Sequence, residues 1–217
     1  MIGVYTHGAP TIPGIDYNLF YTLKLPVDPW IKGLDVQKDI VDKIDWFLPY
    51  RVFVLDTKDI ISDEYQYFIK DLGIKLMNEQ LFFACQEGYV GYRHRDIHFH
   101  KNWHWGNPYN MAALNYLLTP ATGSLDLWDM DEGGEIRNTE TYLQYQLGTE
   151  HSNSKIMTSW TGQEDRAPIL VRTEAVHQAT NLTGPGPRVT LTIRFALNPI
   201  WWMVREAFKP YMIKGYR

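Results

Sequence analysis

The chain is poor in several things, and each shortage excludes a class of protein. Cys85 is the single cysteine among 217 residues. No internal disulfide is possible, so the disulfide-stapled secreted class is excluded and a reducing cytosol is the expected setting. The thiol itself reads as a small buried apolar group. Long apolar runs are missing too. Ile200-Trp201-Trp202-Met203-Val204 is the longest greasy patch, far short of the roughly 20 residues that span a bilayer, so no membrane association is expected. Met1 to Pro13 has no basic stretch followed by an apolar run, and therefore no signal peptide is expected. Neither sign of charge dominates: 21 basic against 25 acidic residues give a net charge of -4. That balance provides no general attraction to a polyanion, which argues against nonspecific nucleic-acid binding, although a local basic groove stays open. Repeats, low-complexity tracts and blocks of like charge are absent.

Apolar material is plentiful, at 45% hydrophobic and 14% aromatic residues, enough to bury a full core, and a single domain over 1–217 is expected. The first third mixes element types. Val36, Ile40, Ile44 and Phe47 recur at helical spacing after Asp35 and before Pro49, predicting a helix from Val36 to Leu48. Asp59 to Leu72 repeats the pattern with Ile60, Tyr67 and Phe68, and Gly73 suits the position just past its end. Between them Arg51 to Leu55 reads as a short buried strand.

From Lys75 onward, strand-like runs separated by Gly, Pro and Asn dominate. They are Leu81 to Gln86, Tyr89 to Asp96, Met111 to Leu118, Ser124 to Trp128, Glu135 to Gln146, Ile169 to Ala179 and Arg188 to Leu197. Gly148 to Ala167 is polar and aperiodic, which suggests a lid loop. Ile200 to Ile213 could form a helix limited by Pro210. The fold class expected is mainly β, a double-stranded β-helix or jelly roll buttressed by helices from the first third, with its core over roughly 80–197.

The last strand alternates sharply. Val189, Leu191, Ile193, Phe195 and Leu197 point one way; Arg188, Thr190, Thr192 and Arg194 point the other. If helices cover the apolar row, the polar row lines an interior. A second pattern concerns metal ligation. His94 and Asp96, two apart in Tyr92-Arg93-His94-Arg95-Asp96-Ile97, would share a strand face, and His177 lies far downstream, followed after a Gly- and Pro-rich turn by Arg188. None of these is specific alone. Together, two imidazoles and a carboxylate on one side of an ion leave three positions open, as non-haem Fe(II) requires to bind a co-substrate and O₂. The turn would set His177 and Arg188 on adjacent strands, with Arg188 deeper. Its planar guanidinium could pair with a carboxylate where water is scarce, helped by Thr190 on the same face.

The order His94-x-Asp96, His177, Arg188 and Thr190 resembles the pattern of the Fe(II)- and 2-oxoglutarate-dependent oxygenase superfamily. Ala113-Leu114-Asn115-Tyr116-Leu117-Leu118 is similar to the strand that follows the His-x-Asp loop in prolyl-hydroxylase-like and small phage-borne members. The resemblance implies a dioxygenase that couples decarboxylation of 2-oxoglutarate by O₂ to hydroxylation of a small-molecule or peptide substrate. It implies His94, Asp96 and His177 as catalytic iron ligands, Arg188 and Thr190 as co-substrate anchors, Asn115 as a further co-substrate contact, and ascorbate as a supporting reductant. A cytoplasmic enzyme, acting in a host cytosol if phage-encoded, is the matching expectation. Asp96 also separates the chain from halogenating relatives, which lack that carboxylate.

Two other readings stand beside it. His98-x-His100 with His177 and Asn181 resembles a cupin metal site, though no Glu follows His100 at the expected distance and Arg188 would be left without a role. At roughly 3.3 Å per residue, His94 and His100 are too far apart in an extended strand to share an ion, so His98, His100, Trp103, His104 and Trp105 read as a loop over the mouth. A non-catalytic ligand-binding module of the same fold is the third. The acidic residues Asp126, Asp129, Asp131, Glu132 and Glu135 read as a solvated turn, and Trp201 and Trp202 as cover for the core, an exposed pair being a mark of dimerisation.

Overall fold

A computed structural model describes residues 17–97, 112–119, 123–128, 134–138, 143–147, 155–162, 167–183 and 186–217, without side chains at 95, 97, 134–138 and 143–147. Fourteen strands are present among these residues: β1 Phe20–Leu23, β2 Tyr50–Asp56, β3 Glu79–Cys85, β4 Tyr89–Val90, β5 His94–Ile97, β6 Ala113–Leu117, β7 Ser124–Trp128, β8 Gly134–Asn138, β9 Leu143–Leu147, β10 Ile156–Trp160, β11 Ile169–Val171, β12 His177–Asn181, β13 Arg188–Arg194 and β14 Met212–Tyr216. Four short helices accompany them, α1 Val36–Asp39, α2 Thr57–Ile60, α3 Asp63–Asp71 and α4 Trp201–Phe208.

The strands form two antiparallel sheets of a mainly β jelly roll. The major sheet runs β14-β1-β11-β6-β13-β3-β2, and the minor sheet runs β10-β7-β12-β5-β9-β8 with β4 also on β12. The alternation of β13 builds the layers. Val189, Leu191 and Ile193, all fully buried, pack with Phe82, Leu114 and Leu170 beneath Ile61, Tyr65, Ile69, Trp201, Val204 and Phe208 from the helical segments. Each such side chain contributes roughly 1.5–3 kcal/mol by leaving water. The opposite face of the major sheet meets the minor sheet: Phe20, Ala113, Ile169 and Val171 share a cluster with Leu125, Leu127 and Trp160. Arg188, Thr190 and Thr192 are buried on that interior face, as the alternation predicts.

Several boundaries differ from the sequence reading. The helix expected over Val36 to Leu48 stops after Asp39 and continues as a 3₁₀ turn over Val41–Lys43, although Asp35 does cap it by accepting from the Lys38 N–H at 3.1 Å. Ile40, at φ -120° and ψ -64°, breaks the spiral. The second helical pattern divides at Ile61–Ser62 into α2 and α3. Ser62 caps α3 through the Tyr65 N–H at 3.2 Å. Ile60 and Phe68 pack on the core as expected, joined by Tyr65 and Ile69, while Tyr67 faces solvent. Gly73, at φ +76°, ends α3 as anticipated; the Gly73 and Ile74 N–H groups donate back to Lys70 and Ile69, the paired bonds of a left-handed helix stop.

β2 is an edge strand with Tyr50 and Val54 exposed, not a buried one. The run from Glu135 to Gln146 is a hairpin, β8 with β9. The run from Ile169 to Ala179 is two strands in different sheets. Part of the expected lid is strand β10, paired with β7; residues 148–154 and 163–166 lie outside the described residues. β13 ends at Arg194, and Leu197 is almost wholly exposed at φ +63°, not part of the apolar row. The carboxy-terminal helix ends at Phe208, before Pro210, and the chain returns as β14 against β1. Trp201 is buried and Trp202 is exposed. Cys85 is buried. Among the described residues no helix is long and apolar enough to cross a membrane.

Candidate metal centre

His94 opens β5 and His177 opens β12, and the antiparallel register sets them directly opposite one another. Opposed residues in such a pair share a face, and the two rings lie 4.4 Å apart between centroids. Asp96 is two residues along β5, on the same face as His94. One ligand atom from each of His94, Asp96 and His177 lies within 4.8 Å of the others, a spacing that could hold a metal ion. Asp96 Oδ1 is 3.5 Å from His94 Nε2 and 3.6 Å from His177 Nε2.

The ring orientations are set by the backbone. His94 Nδ1 lies 2.9 Å from the Tyr92 carbonyl oxygen and His177 Nδ1 lies 2.9 Å from that of Ala175. A carbonyl only accepts, so Nδ1 donates in both, and each Nε2 is turned toward Asp96 Oδ1. This is the outer support that metal-bound histidines ordinarily have. The acceptor is two residues back in each case, a contact invisible in the sequence because it depends on the strand entry. The Asp96 backbone N–H donates to the Thr173 carbonyl at 3.2 Å, fixing β5 where the carboxylate leaves it.

Asp96 has one more partner, which the sequence reading missed. Arg194 Nη2 donates to Asp96 Oδ2 at 2.6 Å. Burial works against charge on Asp96, but Arg194, aided by His177 and His94, holds the carboxyl well below the usual carboxylate range. The signal was in the alternation: Arg194 follows Arg188, Thr190 and Thr192 on one face of β13, across the interior from β5.

Arg188 is 2% exposed. Its Nη1 donates to the carbonyls of Gly123 at 3.3 Å and Thr161 at 3.1 Å, and its guanidinium carbon is 5.3 Å from the Trp160 ring centroid. Nη2 is buried with no hydrogen-bond partner among the described residues. Burial draws its pKa down from the usual arginine value to about 10, an effect that Cys85 and Asp126 oppose. Thr190 is buried two residues along, and Asn115 is buried opposite Thr192 on β6, its Oδ1 without a partner among the described residues.

One geometric expectation fails. His177 and Arg188 are not on adjacent strands: β12 belongs to the minor sheet and β13 to the major sheet. The chain passes from one sheet to the other between them, and Asn181 Nδ2, at the end of β12, donates to the carbonyls of Cys85 and Gly186. Arg188 therefore faces the ligand strands across the space between the sheets. Asp126, expected in a solvated turn, is buried in β7 and accepts from Ser159 Oγ at 2.7 Å. His98, His100 and His104, the other ligand candidates, lie outside the described residues, as do Asp129, Asp131 and Glu132.

No protein-family model matches the sequence. No curated protein matches it either. Among solved structures, the chain is similar to the oxalate decarboxylase of Bacillus subtilis, solved at pH 4.6, with 8% identity and a TM-score of 0.34; the match covers 72% of this chain and 28% of that one.

Proposed function

We propose that the protein is an Fe(II)- and 2-oxoglutarate-dependent oxygenase that hydroxylates a small-molecule or peptide substrate. One observation carries the reading: a His–Asp–His group with both Nδ1 atoms held by backbone carbonyls converges between two sheets, and the facing strand also bears a buried guanidinium with one nitrogen unpartnered among the described residues. The donor set fits an ion with borderline affinity for imidazole and carboxylate, bound on one side with three positions left. Arg188 fits a carboxylate, because a buried cation with no ion pair among the described residues is costly and its Nη2 is an unused donor among them.

In this reading His94, Asp96 and His177 hold the iron, and Arg188 with Thr190 grips the far carboxylate of 2-oxoglutarate, with Asn115 beside its path. Bound Fe(II) would activate O₂, whose reduction would draw two electrons from decarboxylation of the keto acid and two from the substrate C–H bond. The balanced reaction consumes 2-oxoglutarate, O₂ and a C–H bond, and yields succinate, CO₂ and an alcohol. The chain's own contribution is positioning. The two backbone-held imidazoles stay in the ligating tautomer, the carboxylate keeps its charge, and the sheets exclude water from the co-substrate's distal end.

The test is succinate formation from 2-oxoglutarate with iron and ascorbate, with no prime substrate added. Uncoupled turnover is expected in the wild type and abolished in Asp96→Ala with the fold intact; equal succinate from both removes Asp96 from the site. Binding of metal and 2-oxoglutarate without any succinate would instead mark a ligand-binding module.

A further inference from the structure

An aspartate can bind a divalent ion through one oxygen or through both, and the second mode consumes an additional coordination position. The proposed chemistry cannot spare one, since the keto acid takes two of the three open positions and O₂ the third. Something must keep Asp96 to a single oxygen. The two oxygens already have different partners: Oδ1 is the one near both imidazole Nε2 atoms, and Oδ2 is bonded to Arg194.

Arg194 is well placed to hold that division, because its backbone is pinned on both sides where β13 parts from β3. The paired register of those strands runs from Arg188 opposite Cys85 to Thr192 opposite Leu81 and stops before Arg194. There the Gln80 side chain takes over. Its Oε1 accepts from the Arg194 N–H at 2.7 Å, while its Nε2 donates to Thr57 Oγ1 at 3.0 Å and to the Met77 carbonyl at 3.1 Å. The Met77 N–H in turn donates to the Arg194 carbonyl at 3.0 Å. Gln80 is fully buried. On the other side Arg194 pairs with Ala113 of β6. A guanidinium launched from so fixed a backbone, with both partners' side chains mostly buried, makes a short charge-assisted bond that is costly to break, since breaking it strands two charges away from water.

We infer that Arg194 is a positioning residue that occupies Asp96 Oδ2 and so confines the carboxylate to one-oxygen ligation through Oδ1, keeping the third coordination position open. The inference rests on the metal site proposed above. Its test counts metal-bound waters, by water-proton relaxation, on protein loaded with Mn(II) in the absence of 2-oxoglutarate. The wild type should show three exchangeable waters and Arg194→Met two, as Asp96 closes on the ion with both oxygens. Arg194→Lys retains one charged donor and should restore the third water. If Arg194→Met does not fold, Arg194→Gln, too short to reach Asp96 but polar, should show the same loss of one water.

Equal water counts in the wild type and in the variant lacking the guanidinium would overturn the positioning role and leave the metal site standing. Failure of the wild type to bind Mn(II) any better than Asp96→Ala would overturn the metal site itself, and the inference with it.

Discussion

Asp96 stands between one guanidinium and two imidazoles, and that position fixes its behaviour in acid. Its folded-state pKa is depressed below the roughly 3.9 of an unfolded aspartate. The carboxylate therefore adds stability above about pH 4, and the contribution is lost as pH falls through the depressed folded value. Arg194→Met removes the principal partner, so the metal-free variant should unfold at a higher pH than the wild type in an acid titration followed by circular dichroism; coincident midpoints would deny the pair a stabilising role. Cys85 shows the opposite shift, because burial pushes its thiol up to about 12 while Arg188 resists. The unfolded thiol ionises near 8.5, so stability declines as pH rises from about 8.5 toward 12. At pH 8 the folded protein should react with a thiol reagent far more slowly than the urea-unfolded chain, and equal rates would show an accessible thiolate. At this scale much was legible. The two-residue spacing of His94 and Asp96 and the polar row of β13 are strand periodicity, readable from the chain. The Arg194–Asp96 bond was not, since it joins residues 98 apart across two sheets.

Elements were legible where the pattern is local and obscured where the path between elements decides. β7 has the predicted bounds, Ser124–Trp128, because alternation and flanking turns agree. The split of Ile169 to Ala179 into β11 and β12 was hidden, since an unbroken β-rich run does not reveal that the chain changes sheets at Arg172–Val176. The helix expected to Leu48 is too long because apolar spacing through Phe47 mimics a helix, whereas Phe47 and Leu48 are exposed. One glycine tests the crossing at the site. Gly123, at φ +143°, has no room for a side chain: a Cβ would lie 2.3 Å from the Thr180 carbonyl oxygen and 3.2 Å from Arg188 Cδ. Gly123→Ala should cost about 2 kcal/mol or more and weaken 2-oxoglutarate binding, because the Gly123 carbonyl also anchors Arg188. Ser62→Ala, which removes a cap far from the site, should cost about 1 kcal/mol and leave that binding unchanged. Urea denaturation paired with ligand titration separates the two effects, and a Gly123→Ala protein of wild-type affinity would detach the glycine from the site.

The whole molecule places its candidate ligands on one sheet and its cations, Arg188 and Arg194, on the other. Metal and co-substrate would thus tie the sheets together, and their binding should register as global stability. Ion at a hundredfold excess over its dissociation constant adds about 2.7 kcal/mol. Thermal unfolding should shift upward with Mn(II) and again with 2-oxoglutarate, the second increment vanishing in Arg188→Met while the first remains.

The most direct test is a calorimetric titration of 2-oxoglutarate into the Mn(II)-loaded protein. One molecule should bind per chain, with affinity lowered by orders of magnitude both in Arg188→Met and when the metal is withheld. Binding that is indifferent to the metal and to the guanidinium would contradict the account.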